Sequence, residues 1–138
     1  MRKQIAILLL AAMSGCASTP ADVKTAPRAK ASSVLDPALL NESADKGTIR
    51  IVRDRGVFGS GISVLIYVDG RHVANVDANR VLDLHVAPGV RRLGLQTNNV
   101  TEPIQYQEVN VQAGATYEYR VGMTGNGVTT DWRMERIN

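Results

Sequence analysis

The side chains best suited to chemistry are few. His85 and Asp83 stand two apart in LDLHV, residues 82–86, with Arg91 and Arg92 just past Pro88-Gly89. An imidazole, a carboxylate and a guanidinium brought together make either a salt-linked surface patch or half of a binding site. His72 follows Asp69-Gly70-Arg71, at a hairpin tip where a solvated histidine is expected. Ser60 sits in Gly59-Ser60-Gly61, too short for the G-x-S-x-G elbow of a hydrolase. The glycine-rich stretch 56–61, GVFGSG, lacks phosphate-loop spacing and has no basic residue after it, so it reads as a loop with Phe58 packed down. Tyr117, Tyr119 and Trp132 form either a platform for sugar or, at alternating strand positions, core packing. No catalytic residue is assigned, and the chain is read as a non-enzyme without a cofactor. Cys16 is the only cysteine. It excludes an internal disulfide, and with two histidines it excludes the usual zinc sites, so no metal is expected.

Charge narrows the partners. The 138 residues carry 16 Lys and Arg against 13 Asp and Glu, a formal charge of +3. Arg2 and Lys3 belong to a segment expected to be removed, and the remaining basic residues interleave with acidic ones. That pattern describes a solvated surface and excludes a nucleic-acid footprint.

Residues 1–15 have the parts of an export signal: Arg2 and Lys3, an apolar stretch over 5–13, then Ser14-Gly15. Nine apolar residues are too few to span a bilayer. Met13-Ser14-Gly15-Cys16 resembles a bacterial lipobox, with Met13 where Leu is more usual. The resemblance implies diacylglycerol on Cys16, cleavage before it, and an acylated amine, palmitate being the expected chain. Ala17, where Asp would resemble an inner-membrane retention signal, implies the periplasmic side of the outer membrane. An ordinary signal peptide cut near 11–13 is the alternative.

Residues 16–46 are the lipidated N-terminus and an expected flexible tether, rich in Ala, Ser, Thr, Pro, Lys and Asp. Some 30 residues reach on the order of 100 Å extended, or about 30 Å as a coil. Residues 34–40, VLDPALL, read either as one or two helical turns starting at Asp36-Pro37 or as a disordered apolar stretch.

The domain is expected over 47–138. Strands are predicted over 48–53, 62–68, 71–76, 81–86, 90–97, 104–111, 116–123 and 128–137. The run 62–68 reads as a central strand covered on both faces, joined by a type I′ Asp69-Gly70 turn to the next. Asp77-Ala78-Asn79 makes a second turn. Leu82, Leu84 and Val86 point inward against Asp83 and His85, and Leu93 and Leu95 also point inward. Pro88-Gly89 and the turn at 113–115 read as hairpin connections. Arg120, Arg133 and Arg136 are placed to offset Glu118, Asp131 and Glu135. The class is all-β, an antiparallel sandwich of about seven or eight strands.

Three pieces together resemble PEGA-type domains. They are residues 64–70 with Val73-Ala74, residues 82–89 ending in Pro-Gly, and residues 109–117, VNVQAGATY. With the lipobox, the chain resembles small bacterial lipoproteins of unknown function carrying such a domain. The resemblance implies an immunoglobulin-like or transthyretin-like sandwich, brings no catalytic residues, and covers about 48–123. The expected function is a lipid-anchored interaction or scaffold module of the cell envelope, with a protein partner recruited at a sheet edge. The alternative is a small-ligand or glycan (peptidoglycan) binding module using His85, Arg91, Arg92 and Trp132. A cell-envelope hydrolase trails both.

Overall fold

In the computed structural model, residues 19–56, 61–98, 100–125 and 130–138 are described. The signal segment with Cys16, residues 57–60 of the glycine-rich loop, Asn99 and the turn at 126–129 lie outside the described residues.

The described residues form eight strands: β1 (Gly47–Arg53), β2 (Val64–Val68), β3 (Arg71–Val76), β4 (Arg80–Val86), β5 (Gly89–Gln96), β6 (Gln105–Val111), β7 (Thr116–Gly125) and β8 (Thr130–Arg136). They make two four-stranded sheets, ordered β4-β1-β7-β8 and β3-β2-β5-β6. Period-2 alternation decides which side chains face between them. Ile49, Ile51, Ile66, Leu84, Leu93, Leu95, Tyr119 and Val121 are all buried in the shared core. Leu82 and Val86 are buried as expected, while Asp83 and His85 face outward.

The Asp69-Gly70 turn has φ of 51° and 82°, the two positive values a type I′ hairpin requires. Three expectations about connections and cover need correction. The sandwich is not wholly antiparallel, because β1 pairs with β7 in parallel, from Thr48 opposite Thr116 to Arg53 opposite Val121. The Pro88-Gly89 and 113–115 turns are not hairpins, because β4 and β5, and likewise β6 and β7, lie in different sheets. Turn residues fix a sharp reversal, but a reversal can cross between layers as readily as within one. Finally, β2 is covered on one face only, with Leu65 and Tyr67 half-exposed on the other. Neighbours β3 and β5 flank its edges, and among the described residues neither sheet packs over its outer face.

The largest departure is the expected tether. From Thr19 onward it is a strap bound to the sandwich. Thr19 bridges to Arg55, Arg28 to Val81 and Val34 to Ala74. Ala29 N–H donates to Val81 O (2.8 Å), Val81 N–H to Pro27 O (3.0 Å) and Leu35 N–H to Val73 O (2.7 Å). The strap thus runs along the edge strands β4 and β3, which would otherwise present unpaired backbone. Ala21, with half-buried Val23 and Ala26, covers Val52 and Val81 on the outer face of the first sheet. Of the two readings of 34–40, the helical one holds in part. Pro37–Leu40 is a 3-10 turn whose Asp36 carboxylate accepts from Ala38 N–H (3.2 Å), while Val34 joins the core.

Candidate functional site

The edge strands β3 and β4 are consecutive in sequence but belong to opposite sheets, so a seam runs between them. The strap crosses that seam and divides it into two hollows. One, of about 260 Å³, is polar and lies beside Ala29, Ser33, Asp77 and Arg80. The other, of about 250 Å³, has an apolar floor of Leu39, Val68, Val73 and Val86, and its rim carries Lys46, Arg71, His85 and Arg91 with Asp36 and Asp69. The second hollow opens at the end of the sandwich where β1 begins.

Most of the rim charge is already satisfied. Arg71 pairs with Asp36 (2.5 Å) and Arg91 with Asp69 (3.0 Å). Arg91 also donates to Ala87 O (2.9 Å) and Pro88 O (3.1 Å), clamping the turn that carries the chain between sheets. Burial opposes ionisation of Asp69, but its bonds to the Arg92 N–H and the Arg91 side chain hold its carboxyl below the ordinary value. Lys46 is different. Its Nζ donates to Ala38 O (3.3 Å) and Asn41 O (3.1 Å), and among the described residues it forms no salt bridge. Its neighbour Asp45 feels that charge, but neither carboxylate lining the groove, Asp36 or Asp69, pairs with it.

The residues singled out from the sequence divide. His85 and Arg91 line the same groove, brought there by the crossing turn rather than by a hairpin. Arg92 does not; it lies over the Tyr106 ring at 4.2 Å. Trp132 sits near the start of β8, at the end of the sandwich away from the groove, packed on the core beneath the Arg53 guanidinium at 4.9 Å. Tyr117 and Tyr119 are buried, so the aromatics make no platform for sugar. His72 is not a solvated tip residue. It stacks on Tyr67, with ring centroids 5.2 Å apart, and its Nε2 meets Asn75 Oδ1 at 2.8 Å.

The Asp83/His85 pair separates as well. Asp83 receives two bonds from Arg50 (2.7 and 2.9 Å) and one from Arg28 of the strap (3.1 Å), and Arg50 reaches Glu118 at 3.3 Å. Burial would raise the Asp83 carboxyl, yet Arg50, Arg28 and His85 together hold it below the ordinary range. The Asp83 hydrogen bond in turn raises Arg50. His85 Nδ1 instead meets Thr48 Oγ1 at 3.0 Å. A hydroxyl and an imidazole in contact are two parts of an acyl-transfer site, but among the described residues no carboxylate hydrogen-bonds that ring to orient it. Also among the described residues, no group of three His, Cys, Asp or Glu is placed to hold a metal, and no helix is long and apolar enough to cross a membrane.

Two charged residues escaped the sequence reading. Arg53 continues the inward register of Ile49 and Ile51, and its guanidinium donates to Val76 O (2.6 Å), tying the sheets together. Burial lowers it to about 10, with Asp77 pulling the other way, so it stays charged at neutral pH. Asp54, buried, accepts from Ala21 N–H (2.9 Å) and from Arg120, which also donates to Ala21 O (3.0 Å). Arg120 is thereby drawn to the strap rather than to Glu135 opposite it. Only the alternation of β1 pointed to Arg53, and nothing local pointed to Asp54.

In comparisons with known proteins, the chain matches no family model, no curated protein and no solved structure.

Proposed function

We propose that this chain is a non-enzymatic binding module of the bacterial cell envelope. A lipid on Cys16 holds it to the periplasmic side of the outer membrane, and the apolar-floored groove between β3 and β4 is its recognition surface. The groove's ligand is compact, with an apolar body and one carboxylate, either a free acid or the C-terminus of a partner protein. The observation that carries this reading is Lys46, which among the described residues forms no salt bridge and lies beside the apolar floor of Leu39, Val68, Val73 and Val86. Apolar contact supplies affinity and a single charge sets orientation. The lipobox supports the anchor, and a PEGA-type origin would add no catalytic group.

Two readings lose ground to this one. A partner strand added to β3 or β4 would have to displace the strap, which already bonds both edges, so recruitment at a sheet edge is confined to the outer strands β6 and β8, where Gln105 already donates to Trp132 O. Glycan stacking would need Trp132, which lies under Arg53.

Calorimetric titration with octanoate, octylamine, and a short apolar peptide with either a free or an amidated C-terminus tests the groove. Octanoate or the free-acid peptide binds, the amine and amide do not, and Lys46→Gln weakens binding about tenfold, the loss of one charged contact. Equal binding of acid and amine, or no effect of Lys46→Gln, sinks the assignment. Whichever acid binds tells the free ligand from the partner terminus.

A further inference from the structure

Lipid anchoring with a long tether would leave the domain free to roam. The strap removes that freedom, because Thr19, three residues after Cys16, is already bonded to the sandwich. Thr19 N–H donates to Arg55 O (2.7 Å) and Arg55 N–H returns to Thr19 O (2.9 Å). Two residues on, Ala21 is buried and locked by Asp54 and Arg120. The chain between Cys16 and Thr19 spans at most about 11 Å.

We infer that the end of the sandwich bearing Thr19 and Arg55 docks on the lipid surface, with the groove pointing away from it. This rests on the lipid-anchor reading given above. That end is defined by the backbone. It holds the end of β1 and the beginning of β4, where Arg53 faces Arg80, and the end of β3 at Val76, which Arg53 reaches. The connection from β5 to β6 closes there too, since Gln96 faces Leu65 and Leu95 faces Gln105. Its surface carries both signs of charge, Arg55 and Arg80 with the exposed Asp77 and Glu102, which suits a zwitterionic headgroup layer. Arg55 is exposed beside Asn79 (3.1 Å), and the apolar Ile62 and Val100 are exposed, Val100 by 72%. A guanidinium pairs with lipid phosphate while isolated apolar side chains enter the interface, and a shallow contact of this kind adds to the acyl chains. Lys46 and the groove stand at the opposite end of β1, about 20 Å farther out at roughly 3.3 Å per residue.

The test uses the full lipidated chain in phosphatidylethanolamine–phosphatidylglycerol vesicles containing a headgroup spin label. Cys16 is consumed by the lipid, so Val100→Cys or Val90→Cys supplies the one thiol for a fluorophore. Val90 is 62% exposed at the groove end. The docked orientation gives several-fold stronger quenching at position 100 than at 90. A 30-residue Gly-Ser insertion between Ser18 and Thr19 lets the domain drift about 30 Å and brings the two to the same low level. Equal quenching without the insertion, in protein that stays on the vesicles, overturns the docking inference alone. If Cys16→Ser protein associates with vesicles as well as wild type, the anchor reading itself fails, and the inference with it.

Discussion

Val34 offers the sharpest measure of whether residues 19–46 belong to the fold. It is 5% exposed, bridges to Ala74 on β3, and precedes a backbone bond from Leu35 N–H to Val73 O. Val34→Ala removes two methyl-sized groups, about 1.6 kcal/mol of transfer free energy at roughly 0.8 kcal/mol each. A residual cavity raises the cost to about 2 kcal/mol. At this chain length that lowers the melting temperature by roughly 8 °C. Urea unfolding of the chain from residue 17 onward reads the difference directly, with Val90→Ala as a control expected to stay within about 0.5 kcal/mol because the side chain is exposed. Hydrogen exchange gives a second readout. The Leu35 and Ala29 amides should be protected as strongly as those of β4, since they bond edge-strand carbonyls. If Val34→Ala behaves like Val90→Ala and the Leu35 amide exchanges at the open-chain rate, the strap is a tether after all and the reasoning is wrong.

Two further outcomes follow from packing and charge. A Cβ on Gly94 would sit 2.7 Å from Tyr106 Cε1 and 2.9 Å from both Ile104 Cγ2 and Tyr67 Cβ, so Gly94→Ala should cost about 2 kcal/mol. Gly70→Ala meets no neighbour and should cost only the strain of φ +82°, about 1 kcal/mol, and denaturant midpoints of the two variants separate these costs. Asp83 is held below its ordinary value of 3.8, so the unfolded chain takes up the proton first as acid is added. Its contribution is present above pH 4 and lost as pH falls through the lower folded value. Asp83→Asn should therefore lose about 1–2 kcal/mol at pH 7 yet show a flatter acid limb, and parallel stability curves below pH 4 would refute this.

Much of the fold was legible because alternation and turn chemistry are local. Leu82, Leu84 and Val86 declare one face of β4, and Asp69-Gly70 declares the β2–β3 hairpin. What stayed hidden depended on partners distant in sequence. Pro88-Gly89 signals a reversal but not whether β5 rejoins the same sheet, so the sequence cannot tell that a crossing turn brings Arg91 to His85 while Arg92 turns to Tyr106. The strap hid for a different cause. Its hold lies in backbone bonds at Ala29 and Leu35 and in small apolar residues such as Ala21, none of which makes a periodic pattern. Lys46 carries no sequence signal, because a lysine ending a polar stretch looks solvated until the groove beside it is known.

The parallel pairing of β1 with β7 has a consequence for how the molecule is made. β1 can meet β4 once residue 86 has been delivered, but its other edge must wait for residues 116–121, some 70 positions later. A central strand completed so late gives the chain a high share of non-local contacts and slow closure. The core of the first sheet therefore cannot assemble on a partly delivered chain. Under the export proposed above, such an order helps, because premature closure would block passage through a membrane.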